Sequence, residues 1–181
     1  MTVMAATEHV DRYDDGAVRS RCHRLDGRVD GPFETFAPDG QPLVRAAFRA
    51  GQVDGPMLVY GPGGVLMQQL SFRDGVLEGE TIVYEAGAPA MRLPYRAGVL
   101  EGEATFLDAA GRIVRRTTFA AGAREGRTTE YYPSGRIREI AHYRRNTPHG
   151  ETLRYDEDGR LKERICFDLG QQVPCPKVRA R

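Results

Sequence analysis

The sequence predicts an all-β fold: an elongated, solenoid-like array of β-hairpins forming one twisted antiparallel meander sheet. Three observations carry this reading. Glycine recurs in phase, because Gly31, Gly55, Gly79, Gly102, Gly126 and Gly150 are spaced by 24, 24, 23, 24 and 24 residues. Two further series keep step, Gly16 to Gly159 and Gly27 to Gly170, and a fixed period of this length is the mark of stacked supersecondary units. The intervening residues alternate with period two: Ile137, Glu139, Ala141 and Tyr143 stand against Arg136, Arg138, Ile140 and His142. Finally, the segments between glycine turns are too short for a helix of about ten residues or more. Six hairpins at about 4.8 Å per strand would extend a sheet by roughly 60 Å, each burying its apolar stripe against its neighbours.

Taken in order, residues 1–12 precede the pattern and are expected to be a flexible lead. Residues 13–31 form a degenerate first copy that keeps Gly16 and Gly27 but lacks the aromatic before Gly27. Five full copies follow at 32–55, 56–79, 80–102, 103–126 and 127–150, then a last one at 151–170. The tail, 171–181, carries Pro174 and Pro176, which lack the N–H groups a further strand would need. In the third glycine series one copy has Asn146 instead. Asn is the non-glycine residue that best tolerates positive φ, so this position is predicted to be left-handed.

Composition narrows the function. Lys+Arg total 26 and Asp+Glu 25, so net charge gives no pointer to nucleic acid, although residues 1–102 carry −4 and residues 103–181 carry +5. Residues 1–11 hold no apolar run flanked by basic residues, and no stretch approaches the roughly 20 apolar residues of a spanning helix. A cytoplasmic location is expected. Cys22, Cys166 and Cys175 form no CxxC pair and are expected to be free thiols, a Cys166–Cys175 bridge being the alternative for an exported chain. His9, His23, His142 and His149 lack metal-ligand spacing, and no GxSxG, HExxH or P-loop occurs. The chain is therefore expected to be no enzyme and to need no cofactor or metal.

Several ladders recur at fixed positions. Phe48, Phe72, Tyr95, Phe119, Tyr143 and Phe167 form one aromatic row, and Phe36, Tyr60, Tyr84, Leu107, Tyr131 and Tyr155 a second. Both are expected to fill the core, with a tyrosine-lined ligand groove as the alternative. Acids precede the linking glycines at Asp30, Asp54, Glu78, Glu101 and Glu125, with His149 last. Arg49, Arg73, Arg96 and Arg144 are expected to face them across tight turns as exposed ion pairs. Arg45, Arg92, Arg116 and Arg164 lie on the face opposite the Phe48 row, and with Arg138 they make the C-terminal end guanidinium-rich. Phe33, Met57, Val59, Val83 and Phe106 are placed on that same opposite face, where exposed apolar side chains call for a cover. The candidate partner-binding residues are thus Phe33, Met57, Val59, Val83, Phe106, Arg92, Arg116 and Arg138.

The phrase aromatic-x-x-Gly-x-x-x-Gly-x-x-x-x-aromatic, as in Phe72 to Tyr84, resembles the MORN repeat. The longer second strand, as in Gly135 to Tyr143, is closer to the bacterial MORN-repeat variant, and the likeness spans roughly residues 13–170. Thr81, Thr128 and Thr152 stand where the usual unit has a second glycine, and the chain has no Trp. Bacterial proteins of this kind are commonly classed as antitoxins or immunity proteins. The resemblance implies a protein partner, a toxin encoded nearby, rather than nucleic acid or a small ligand. The alternative is a membrane- or lipid-associated scaffold using the basic C-terminal half.

Overall fold

A computed structural model describes residues 6–176. The fold is all-β, an antiparallel meander of 18 strands with no α-helix among the described residues. Two compact units divide the chain. One comprises the residues up to Pro89 with Tyr95–Gly98, the other Ala90–Pro94 with the residues from Val99 onward.

The first unit contains β1 (Thr7–Arg12), β2 (Val18–Leu25), β3 (Arg28–Phe36), β4 (Pro42–Arg49), β5 (Gln52–Tyr60), β6 (Leu66–Arg73), the two-residue β7 (Val76–Leu77) and β8 (Gly79–Glu85). Chain neighbours pair from β1 to β6, and β6 takes β7 and then β8 as its next partners. Residues 7–12 are thus no loose lead: Thr7 to Arg12 register against Arg24 to Val18. Even the degenerate first copy offers a backbone edge, and a backbone ladder needs no aromatic.

The second unit holds the middle of β9 (Ala88–Arg96), then β10 (Val99–Leu100), β11 (Gly102–Leu107), β12 (Ile113–Ala120), β13 (Ala123–Tyr131), β14 (Ile137–Arg144), β15 (Thr147–Pro148), β16 (Gly150–Tyr155), β17 (Leu161–Asp168) and β18 (Gln171–Val173). Strand β18 pairs with β17 through Cys166↔Val173, Phe167↔Gln172 and Asp168↔Gln171, and strand structure ends at Pro174, where the ladder loses its donor. Cys166 and Cys175 are joined in a disulfide with Cα atoms 5.1 Å apart, contrary to the expected free thiols. The reason is local: β18 folds back on β17 and returns Cys175 to the strand that carries Cys166. Cys22 stays free and buried.

Hairpins turn in two ways. One turn has positive φ at two consecutive residues, as in Ala50–Gly51 (50° and 87°), Ala121–Gly122 (49° and 77°) and Arg145–Asn146 (48° and 69°). This is the type I′ geometry whose twist matches that of the flanking strands. Asn146 is left-handed as its place in the glycine series predicts, and its Oδ1 accepts from the Arg124 N–H at 2.8 Å. The other turn leaves one extra residue in the returning strand. At Val59/Tyr60, for example, the register jumps so that Met67 is unpaired.

Register fixes which side chains share a face. Phe48 pairs with Gly31 and its ring lies 5.2 Å from that of Phe33, so both belong to one face, here the seam face. Its central row runs Cys22, Phe33, Ala46, Met57, Leu70 in the first unit. In the second unit Ala104, Thr117, Thr128 and Ala141 pair in sequence, and Thr152 pairs with Ile165. Many of the most buried side chains lie in this row: Ala104 is fully enclosed, and Cys22, Thr117, Thr128, Ala141 and Thr152 are each under a tenth exposed, as are Thr129 and Cys166 on the reverse face. The rings do not form the inner core. Every member of both aromatic ladders is half-buried, and among the described residues no large side chain is fully enclosed. A thin sheet buries its middle row only if that row is small, so the rings lie over its flanks.

Candidate functional site

The acid ladder is built differently from the ion pairs expected of it. Asp30 accepts from the Ala50 N–H, Glu78 from Ala97, Glu101 from Ala121 and Glu125 from Arg145, each at 2.8 Å. Each donor is the first residue of a type I′ turn one copy further on. The second turn residue donates as well: Gly51 to the Val29 carbonyl at 2.8 Å, Gly122 to Leu100 at 3.0 Å and Asn146 to Arg124 at 3.0 Å. A left-handed pair points two N–H groups at one dipeptide of the preceding copy, and a carboxylate there makes a charge-assisted bond stronger than an exposed ion pair. Asp54 is the exception. Its following turn begins with Asp74, a like charge, and Asp54 turns instead to Arg49 at 3.0 Å. His149 meets Asp168 at 3.3 Å rather than facing Arg144.

The eight candidate binding residues fall on two faces. Phe33, Met57, Val59 and Val83 lie on the seam face of the first unit, the same face as Phe48, contrary to their expected place opposite it. The cause is that the two aromatic ladders occupy opposite faces. Tyr60 sits beside Arg45, whose guanidinium carbon is 5.9 Å from the ring centroid, so Val59, next to Tyr60 in its strand, points the other way. A registered row, Thr35, Val44, Val59, Gln68 and Val83, crosses this face. Leu43 and Met67, the unpaired residues at two successive bulges, are 38% and 44% exposed, so the apolar surface reaches solvent.

In the second unit the same positions pass from apolar to charged. The row runs Met91, Phe106, Arg115, Glu130, Glu139, Arg154, Glu163. Arg115 lies over the Phe106 ring at 3.9 Å. Arg154 holds Glu139 and Glu163, each at 2.8 Å, while Arg138 reaches Glu130 from its bulge. These carboxylates, by hydrogen bond and charge, raise the pKa values of Arg154 and Arg138 above the usual guanidinium value. Glu139, Arg154 and Lys162 help to line a cleft of about 380 Å³ between Tyr132 and Tyr155. Tyr132, unmarked in the repeat phrase, donates its hydroxyl to the Tyr155 carbonyl at 2.8 Å, as Tyr13 does to Phe36 at 2.7 Å. Both tyrosines begin the glycine turn that precedes a second strand, a recurrence visible in the sequence.

Arg92 and Arg116 are on the reverse face, where both pair with Thr105, as the arginine series predicts. Arg116 lies 3.5 Å from Glu103, and Arg164 is bonded to Glu151. That bond holds the Glu151 carboxyl below its ordinary range; burial opposes it, and the charge of Arg164 adds a smaller lowering effect. Arg112 likewise binds Asp108 at 2.8 Å. Six of the twelve arginines from Arg112 to Arg164 are thus paired with a carboxylate of their own unit. Among the described residues no group of three or more His, Cys, Asp or Glu side chains could hold a metal ion, and no helix is long and apolar enough to cross a membrane.

A hairpin repeat whose copies are stitched by acid-capped turns, and whose faces differ from copy to copy, defines a binding-repeat architecture. Residues 124–145 and 148–168 match the MORN repeat variant family, each match covering one hairpin of the second unit. MORN repeats are generally protein- or membrane-binding. No curated protein matches the chain.

Proposed function

We propose that this chain is a non-enzymatic, cytoplasmic protein-binding repeat, an antitoxin or immunity-type protein that neutralises a cognate toxin by docking on the seam face of its first unit. The observation that carries the reading is the row Thr35, Val44, Val59, Gln68 and Val83 with Leu43 and Met67 beside it, uncharged and valine-rich where the second unit has Glu130, Glu139 and Arg154. An apolar patch kept accessible at positions that tolerate charge elsewhere in the same repeat is a recognition feature rather than a folding requirement. The toxin as partner rests on the resemblance to bacterial MORN-variant proteins. The lipid alternative draws less support, because Arg112, Arg116, Arg138, Arg154 and Arg164 already meet carboxylates and offer little uncompensated charge to an anionic surface.

Co-expression with the toxin-like product of an adjacent gene tests this. Wild type should rescue growth and co-purify with the toxin, while Met67→Asp and Val59→Asp should lose both, with circular dichroism unchanged. Rescue that survives both substitutions, or no rescue by wild type, refutes the reading. Flotation with vesicles rich in anionic lipid should leave the protein at the bottom of the gradient.

A further inference from the structure

We infer that β1 is a homotypic docking edge, to which a second copy of this chain adds its own β1 antiparallel with Val10 against Val10. Strand β1 spans six residues, Thr7-Glu8-His9-Val10-Asp11-Arg12, and is registered against β2. Its backbone groups on the other side are what a strand from a partner would pair with. Natural sheets guard such edges with prolines, very short strands, bulges or charged side chains. The last strand of the second unit uses two of these, being three residues long and followed at once by Pro174. Strand β1 uses neither, and the extra residue at its one irregularity, between Asp11 and Arg12, is Arg19 on β2. What remains on β1 is charge, and its order is self-complementary.

Antiparallel pairing of β1 with itself allows few registers, and charge selects among them. With Val10 on the two-fold axis, Glu8 faces Arg12 of the second copy and His9 faces its Asp11, and both contacts occur twice because the interface is isologous. Centring the axis on Asp11 sets Asp11 against its own copy, two like charges, and Arg12 against Val10. Centring it on His9 leaves Glu8 facing Val10 and Asp11 facing Thr7. Only the Val10 register opposes every charge with its counterpart.

The contacts within the chain leave the required groups available. Glu8 lies 3.5 Å from Arg21 on β2 and is half exposed, so in the dimer it would sit between Arg21 and the second copy's Arg12. Arg12 spends one N–H on the Gly16 carbonyl at 2.9 Å, and its guanidinium meets no carboxylate among the described residues. Asp11 is held by Arg19 yet still 40% exposed. The contact is independent of the Val44–Val83 row and of the toxin reading.

Sedimentation equilibrium of the full chain tests the inference. Wild type should show a concentration-dependent monomer–dimer equilibrium. Glu8→Arg and Arg12→Glu should each weaken it roughly tenfold or more, since each places two like-charge pairs in the interface. The two variants mixed in equal amounts should associate again. In the mixed dimer the arginine introduced by the first substitution faces the glutamate introduced by the second, and the native Arg12 of one chain faces the native Glu8 of the other. The double variant E8R/R12E should also dimerise. Local unfolding cannot imitate recovery on mixing. A wild type that stays monomeric at every concentration, single variants that dimerise as wild type does, or a mixture with no recovery would each overturn the proposal.

Discussion

Replacing Glu101 by alanine removes the acceptor of the Ala121 N–H, a 2.8 Å bond from a left-handed turn residue with φ near 49°. A hydrogen bond to a charged group contributes about 1.5–3 kcal/mol in protected sites. Ala121 is exposed, so water replaces part of the loss, and the cost should fall to roughly 1 kcal/mol. For a chain of this length that lowers the melting midpoint by about 2–4 °C. Glu101→Gln keeps a neutral acceptor and should cost about half as much. The informative control is Asp54→Ala. Asp54 stands at the same place in its copy but holds exposed Arg49 rather than the next turn, and such pairs contribute only about 0.2–1 kcal/mol. Urea denaturation measures the three costs, and amide exchange at Ala121 reports whether the turn itself has been released. If Glu101→Ala and Asp54→Ala cost the same, or if exchange at Ala121 is unchanged in Glu101→Ala, the acids are ordinary surface charges and the stitching argument fails.

The first residue of each type I′ turn is left-handed without being glycine, and Leu169 (φ 45°) is the least suited; Leu169→Asn should raise stability by roughly 0.5–1 kcal/mol in urea titration. Tyr132→Phe removes the hydroxyl donated to the Tyr155 carbonyl and should cost about 1 kcal/mol, with exchange accelerating in β16 before other strands. Reducing the disulfide should open Cys175 to alkylation and speed exchange over Gln171–Val173, a strand that is exposed throughout, while the buried Cys22 stays unlabelled. Glu151 is depressed by Arg164, so its share of stability is present above its ordinary value of 4.5 and is lost as pH falls through its lower folded value. Glu151→Gln should therefore lower the neutral plateau of a stability–pH curve and flatten its acid limb, the two proteins converging at low pH.

The repeat, the hairpins and the left-handed site at Asn146 are legible in the sequence because each depends on local chemistry repeated at a fixed spacing. The faces are less so. Treating both aromatic ladders as one core places Val59 on the wrong side; Tyr60 lies with Arg45 and Phe48 with Phe33, on opposite faces of the sheet. Strand β1 is hidden by a different cause, since a backbone edge accepts a strand whatever its side chains and Thr7–Arg12 carries no repeat glycine. The acid ladder is visible as a recurrence, but its partner is a backbone N–H about twenty residues away, and backbone groups leave no mark in sequence. The threonine seam shows only as a departure: Thr81, Thr128 and Thr152 look like substitutions for glycine, yet they are among the most buried side chains.

That seam explains how one repeat supports two kinds of surface. In the second unit the middle row is closed by small residues, Ala104, Thr117, Thr128 and Ala141, so the packing that holds a copy in place there is settled in that row and in the turn stitches. The adjacent row, two residues further along each first strand, carries none of that burden. It holds Val59 and Val83 in the first unit and Glu130 and Arg154 in the second without a change in register pattern. A charged row stabilises itself through pairs such as Arg154 with Glu139 and Glu163, whereas an apolar row left half exposed gains from being covered. Exchanging the two should therefore leave the fold intact and move the binding surface: Val59→Glu with Val83→Arg should remain folded but lose the partner. Loss of folding in that variant would mean that the valines belong to the core and that recognition lies elsewhere.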